Sequence, residues 1–120
     1  MIQHFVSTTI WSADLNNLLP FYRDVLGLKV NLESPGFVLL GQEPGQAAAL
    51  GLGTHSAVRG VNTDPARHMV GFTSDDIMGD VQRLQSQGVT FVETPTLSGD
   101  LWIATLKDPE GNLVQIFQHQ

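Results

Sequence analysis

The chain has 120 residues, 42% of them hydrophobic and 15% charged, a balance that supports one folded core and excludes a disordered chain. Twelve acids stand against six bases, a net charge of -6 with no cluster of Lys or Arg, so a surface that neutralises nucleic-acid phosphates is not expected. The lack of cysteine excludes disulfides, thiolate metal sites and a cysteine nucleophile.

Residues 4–10 are rich in β-branched and aromatic types and predict a strand. Asp14 offers a helix cap, because its short carboxylate can accept from the free amides of a first turn. Leu15, Leu18, Leu19, Tyr22 and Leu26 then follow at helical spacing, and Gly27 ends the pattern. Pro20 lies inside it and predicts a kink or restart near Leu19, since proline lacks the amide donor and crowds the preceding turn. Three strands are expected near 28–33, 36–41 and 46–52, separated by Pro35-Gly36 and Pro44-Gly45. Residues 54–67 show little periodicity and read as a linker.

The pattern then repeats: a strand is expected over 68–73, then a helix capped by Asp75 and Asp76 with Ile77, Val81 and Leu84 on its apolar face. Gly88 stops the helix, and strands near 89–93, 101–107 and 112–117 follow. Asp108-Pro109-Glu110-Gly111 supplies a tight turn between the last two. Asp76-Ile77 lies 62 positions after Asp14-Leu15, and Gly88 lies 61 after Gly27. Both halves therefore read as strand, helix and three strands, the mark of an internal duplication. The expected fold is α+β: one domain over 1–120, with a βαβββ module over about 1–53, a linker over about 54–67 and a second module over about 68–120.

No apolar stretch reaches the length that spans a bilayer. Met1 to Phe5 lack the basic region and apolar core of a secretory signal, so a cytoplasmic protein without membrane partners is expected. The open sheet edges of such modules predict a homodimer. The pattern fits pairing of modules within one chain or between two.

Two segments carry a family resemblance: Asp14-Leu15 followed by Phe21-Tyr22-Arg23-Asp24-Val25-Leu26-Gly27-Leu28, and Asp108-Pro109-Glu110-Gly111-Asn112 running into the last strand. With the duplicated element order, the chain resembles the vicinal oxygen chelate superfamily, which includes glyoxalase I, extradiol dioxygenases and bleomycin-resistance proteins. The resemblance implies two modules whose curved mixed sheet surrounds a small-molecule cavity. It also implies four metal-ligand positions, which fall here on Ser7, Gly51, His68 and Gln115. A hydroxyl, a bare backbone, one imidazole and a neutral amide are a poor donor set for a divalent cation. No metal, cofactor or catalytic residue is therefore assigned. His4, His55 and His119 receive no role.

If residue 107 pairs with 112, strand alternation puts Trp102, Ala104, Leu106, Leu113, Gln115 and Phe117 on the cavity face. Ile103, Thr105, Val114 and Ile116 would then lie under the helices. Phe5, Ser7 and Thr9, and His68, Val70 and Phe72, complete the inner set. The expected ligand-binding residues are Ser7, Thr9, Gly51, His68, Phe72, Trp102, Gln115 and Phe117, with Trp102 the leading ligand contact. An apolar, aromatic wall with few polar groups suits a small-molecule site. The expected function is metal-independent binding of a small apolar, aromatic or cationic molecule, as in bleomycin-resistance-type proteins. The alternative is a glyoxalase- or dioxygenase-like enzyme with a degenerate metal site that uses His68.

Overall fold

The computed structural model describes all 120 residues, in two compact units, Met1–Gly60 and Val61–Gln120. Each unit holds a four-stranded mixed sheet. None of the helices is long and apolar enough to cross a membrane.

The first unit contains β1 (Ser7–Ser12), β2 (Val30–Ser34), β3 (Phe37–Leu40) and β4 (Ala49–Thr54) in the order β1-β4-β3-β2. β1 runs parallel to β4, and the other neighbours are antiparallel. The helical stretch is broken where Pro20 predicts a kink or restart. A single 3-10 turn spans Leu15–Asn17, capped by the Asp14 side chain, which accepts from Asn16 N at 3.0 Å. A wider turn spans Phe21–Val25, where Leu26 N donates to Phe21 O, five residues back, at 2.9 Å. Pro20 is the cause: it has no amide hydrogen to bond back along the helix, and its ring collides with the carbonyl four residues earlier. The helical face still forms. Leu18 and Tyr22 are fully buried, and they cover the same core as Val38, Leu40, Leu50 and Leu52.

The second unit contains β5 (Val70–Thr73), α1 (Ile77–Ser86), β6 (Phe91–Ser98), β7 (Leu101–Lys107) and β8 (Leu113–His119). Its strand order, β5-β8-β7-β6, repeats that of the first unit, with β5 parallel to β8. α1 starts because two side chains satisfy its free amides: Asp76 Oδ1 accepts from Gly79 N at 3.1 Å and Gln118 Oε1 from Ile77 N at 2.7 Å. A Cβ at Gly79 would make the capping carboxylate shift. Ile77, Val81 and Leu84 are buried on the sheet side, each stabilising by about 1.5–3 kcal/mol relative to exposure. β6 runs five residues beyond its expected end and passes through Pro95. It can do so because it is an edge strand, and irregularities between Phe91 and Thr96 absorb the missing donor.

The last hairpin differs from expectation by one residue. Lys107 pairs with Leu113, not with residue 112. The Asp108 carboxylate draws Asn112 into the loop. Its Oδ1 accepts from Glu110 N at 2.8 Å and Asn112 N at 2.9 Å, and its Oδ2 accepts from Asn112 Nδ2 at 2.8 Å. Gly111, at φ +80°, closes the turn. Side chains alternate along a strand, so this one-residue change carries every β7 side chain to the opposite face from the one expected. The same turn holds part of the expected linker: Asn62 N donates to Glu110 O at 2.9 Å and Asn62 Nδ2 to Asn112 Oδ1 at 2.9 Å.

Asp108 is 5% exposed, and its carboxylate serves three donors. Asp108→Ala should therefore cost about 2–3 kcal/mol, because two backbone amides lose their acceptor in a buried turn. Asp108→Asn should recover part of that loss. A urea titration in which Asp108→Ala kept the wild-type midpoint would contradict this role.

Candidate functional site: the helix-free sheet faces

In each unit one sheet face is covered by that unit's own helical segment, and the other face is not. In the first unit the register puts Ser7, Thr9 and Trp11 of β1 beside Ala49, Gly51 and Gly53 of β4 on the helix-free face. Phe37 and Leu39 of β3 continue the row, since they pair with Gly53 and Gly51. Trp11 is 44% exposed, and its ring lies 6.1 Å from that of Phe37 at a 37° tilt. The glycines make room for these groups. A Cβ at Gly53 would run into the Trp11 ring, and one at Gly51 would come within 2.6 Å of Thr9 Oγ1 and 3.0 Å of Phe37 Cζ. The face is thus two aromatic rings resting on bare backbone, bordered by the Ser7 and Thr9 hydroxyls.

In the second unit Gly71 pairs with Gln115 and Thr73 with Phe117, while Thr105 and Ile103 pair with Gln115 and Phe117 from the other side. These residues, with Leu101 and Leu113, make the helix-free face. The aromatic-on-glycine arrangement recurs, since a Cβ at Gly71 would lie 2.6 Å from Phe117 Cε2.

Of the residues expected to share a site, Ser7, Thr9 and Gly51 share the first unit's face, and Gln115 and Phe117 share the second's. The hairpin register turns Trp102, Ala104 and Leu106 to the α1 side. Trp102 pairs with Gln118, whose side chain bonds Ile77 N and Asp75 O at the start of α1. Ile103 and Thr105, expected under the helices, take the helix-free face instead. Val70 and Phe72 pair with the buried Val114 and Ile116 and also face α1. His68 precedes β5, where it is exposed at the end of the turn Pro65–Arg67. The residue that corresponds to Ser7 under the 62-position offset of the capping aspartates is Met69, an arithmetic signal already present in the sequence.

Trp11, Phe37 and His55 were not singled out by sequence reasoning. The alternation Phe5, Ser7, Thr9 reaches Trp11 in one more step, so that signal was available; Phe37 and His55 depend on β3 and β4 pairing. The His55 ring stands 5.6 Å from Trp11 in a T-shaped contact. The one titratable pair with displaced acidities lies elsewhere, on the exposed side of the broken helix. There the Arg23 guanidinium donates to Asp24 at 2.8 and 3.0 Å, and this hydrogen bonding holds the carboxyl below the usual carboxylate range.

The family positions for a metal do not fit one here. Ser7 offers a hydroxyl, Gly51 no side chain and Gln115 an amide; the remaining position, expected at His68 and falling on Met69 by the 62-position offset, offers one imidazole or a thioether, and no group of three or more His, Asp or Glu side chains converges anywhere in the chain.

The family model described as "Glyoxalase/Bleomycin resistance protein/Dioxygenase superfamily" matches residues 2–116, and the chain belongs to that superfamily. Among solved structures it is similar to TnmS3, an antibiotic binding protein from Streptomyces sp. CB03234, at 22% identity and TM-score 0.78 over 99% of this chain and 98% of that one. It is also similar to a lactoylglutathione lyase from Agrobacterium tumefaciens, at 20% identity and TM-score 0.72 over 97% and 93% of the two chains. A shorter match joins it to the uncharacterized protein YurT of Bacillus subtilis (strain 168), 46% identical over 43 residues, which span 36% of this chain and only 34% of that protein. At these identities the solved structures establish a shared fold.

Gly53→Ala should push the Trp11 ring off the sheet. With Trp102→Phe as background, leaving one tryptophan, acrylamide should quench the Gly53→Ala protein more strongly than its Gly53 parent. Equal quenching would mean that Trp11 does not rest on Gly53.

Proposed function

We propose that this protein binds a small apolar or aromatic molecule, without a metal, against the helix-free face of its first sheet. The observation that carries the reading is the aromatic floor: Trp11 and Phe37 lie on Gly51 and Gly53, with Trp11 nearly half exposed. An exposed indole presents a stacking face, and the glycines beneath it let the Trp11 and Phe37 rings settle close on the sheet, where a flat ligand can stack on them. Thr9 and Ser7 add hydroxyls that orient a polar substituent. Membership of a superfamily that includes bleomycin-resistance proteins supports this reading, as does the shared fold with an antibiotic binding protein. Gln115 and Phe117 belong to a second glycine-backed face on the other sheet. His68 and Trp102 are not carried into the site, and no catalytic residue is assigned.

Titration with 2-acetonaphthone, followed through the two indole N–H resonances, tests the reading. The Trp11 signal should move with saturation, and the Trp102 signal should move much less. Trp11→Ala should weaken binding at least about fivefold, the loss expected when one aromatic contact of roughly 1 kcal/mol is removed. Unchanged affinity in Trp11→Ala would reject the site.

We propose further that the chain forms a homodimer, supported by the edge strands at both ends of each sheet, which can template a further strand. Light scattering should return twice the chain mass of 13.1 kDa, and a mass of 13.1 kDa would reject it.

A further inference from the structure

His55 follows β4 directly and keeps its alternation, after Gly51 and Gly53, on the helix-free face. Three contacts hold it. Its backbone N donates to Ser12 O at 2.9 Å, extending the pairing of β1 and β4 by one step. Its Nδ1 accepts from Ala57 N at 3.0 Å inside a turn closed by Val58 N on His55 O at 3.1 Å. Its ring meets Trp11 edge to face at 5.6 Å and 73°. Arg59 braces the same turn, donating to Ser56 O and to Val58 O.

The tautomer follows from the turn. A neutral imidazole has one donor and one acceptor nitrogen, and the acceptor here is Nδ1. The ring proton therefore sits on Nε2, the nitrogen that the turn does not use. That donor belongs to an exposed imidazole, which is held beside the Trp11 ring at the rim of the proposed aromatic floor.

We propose that His55 is a specificity-determining ligand contact: its Nε2–H donates to an oxygen acceptor on a planar aromatic ligand whose ring lies against Trp11. The inference rests on the binding reading above and narrows it. The favoured class is aryl ketones and related aromatics with an oxygen acceptor, over alkyl-substituted aromatics of the same size. Aromatic contact supplies affinity for either kind, and the donor discriminates between them. A single hydrogen bond at an exposed rim corresponds to roughly fivefold in affinity.

Calorimetry with 2-acetonaphthone and 2-ethylnaphthalene compares an acceptor with its near-isosteric hydrocarbon. Wild type should bind both, the ketone about fivefold more tightly on the same scale. His55→Phe keeps a ring beside Trp11 and loses the donor, so the preference should vanish while the hydrocarbon binds as before. Nitrogen-15 spectra of the wild-type imidazole give an independent reading: Nε2 should carry the proton, and its signal should shift with the ketone only. Equal affinity of the wild type for both probes overturns the inference and leaves the binding reading standing. A preference kept in His55→Phe, or a proton found on Nδ1, does the same. Binding of neither probe to wild type overturns both.

Discussion

The side chains that the second sheet presents on each face depend on where β7 meets β8, and that is set by the Asp108 carboxylate. Three hydrogen bonds to Glu110 and Asn112 make a loop that takes in Asn112 before pairing begins at Leu113. A strand has two faces and a period of two, so a loop shorter by one residue would exchange them along β7. The present register buries Ala104 and Leu106 against α1 and leaves Ile103 and Thr105 on the helix-free side. Gln118 of β8, paired with Trp102, reaches the start of α1, where its side chain accepts from Ile77 N and donates to Asp75 O.

Both units solve one further problem in the same way. A sheet face that carries aromatic rings needs space above the backbone, and each unit supplies it with glycine on the neighbouring strand: Gly53 under Trp11, and Gly71 under Phe117. Glycine inside a strand costs conformational entropy and forgoes side-chain packing. A position that keeps it gains close approach, here of a ring. The positions that the family resemblance gives for metal donors hold, at Ser7, Gly51 and Gln115, a hydroxyl, a bare backbone and an amide, which suit a neutral organic molecule better than a hard cation.

His55 shows how a residue outside the regular strands acquires a defined chemical state. Without the turn to Ala57, either ring nitrogen could carry the proton. With Nδ1 committed as an acceptor from Ala57 N, the inferred donor is Nε2, on a ring that stands edge to face with the indole. The broken first helix shows the opposite economy. Pro20 removes regular helical bonding, yet Leu18 and Tyr22 still reach the core, because burial of the apolar face, not helix length, holds that segment in place.

Local chemistry made much of this protein legible in sequence. The Asp14 and Asp76 caps, the stops at Gly27 and Gly88, the restart at Pro20 and the turn at Asp108 to Gly111 all follow from residues that act on their immediate neighbours. The two-module order follows from their repetition, and the superfamily from the resemblance that the two quoted segments carry. Extending the alternation from Thr9 to Trp11 would have reached one more residue of the faces by the same means. What tertiary structure alone decided was pairing between strands. The inclusion of Asn112 in the hairpin loop sent Trp102 to the α1 side, and β3 and β4 brought Phe37 and His55 to Trp11. Alternation says which residues of one strand share a face, but only the hydrogen-bond register between strands says which face that is.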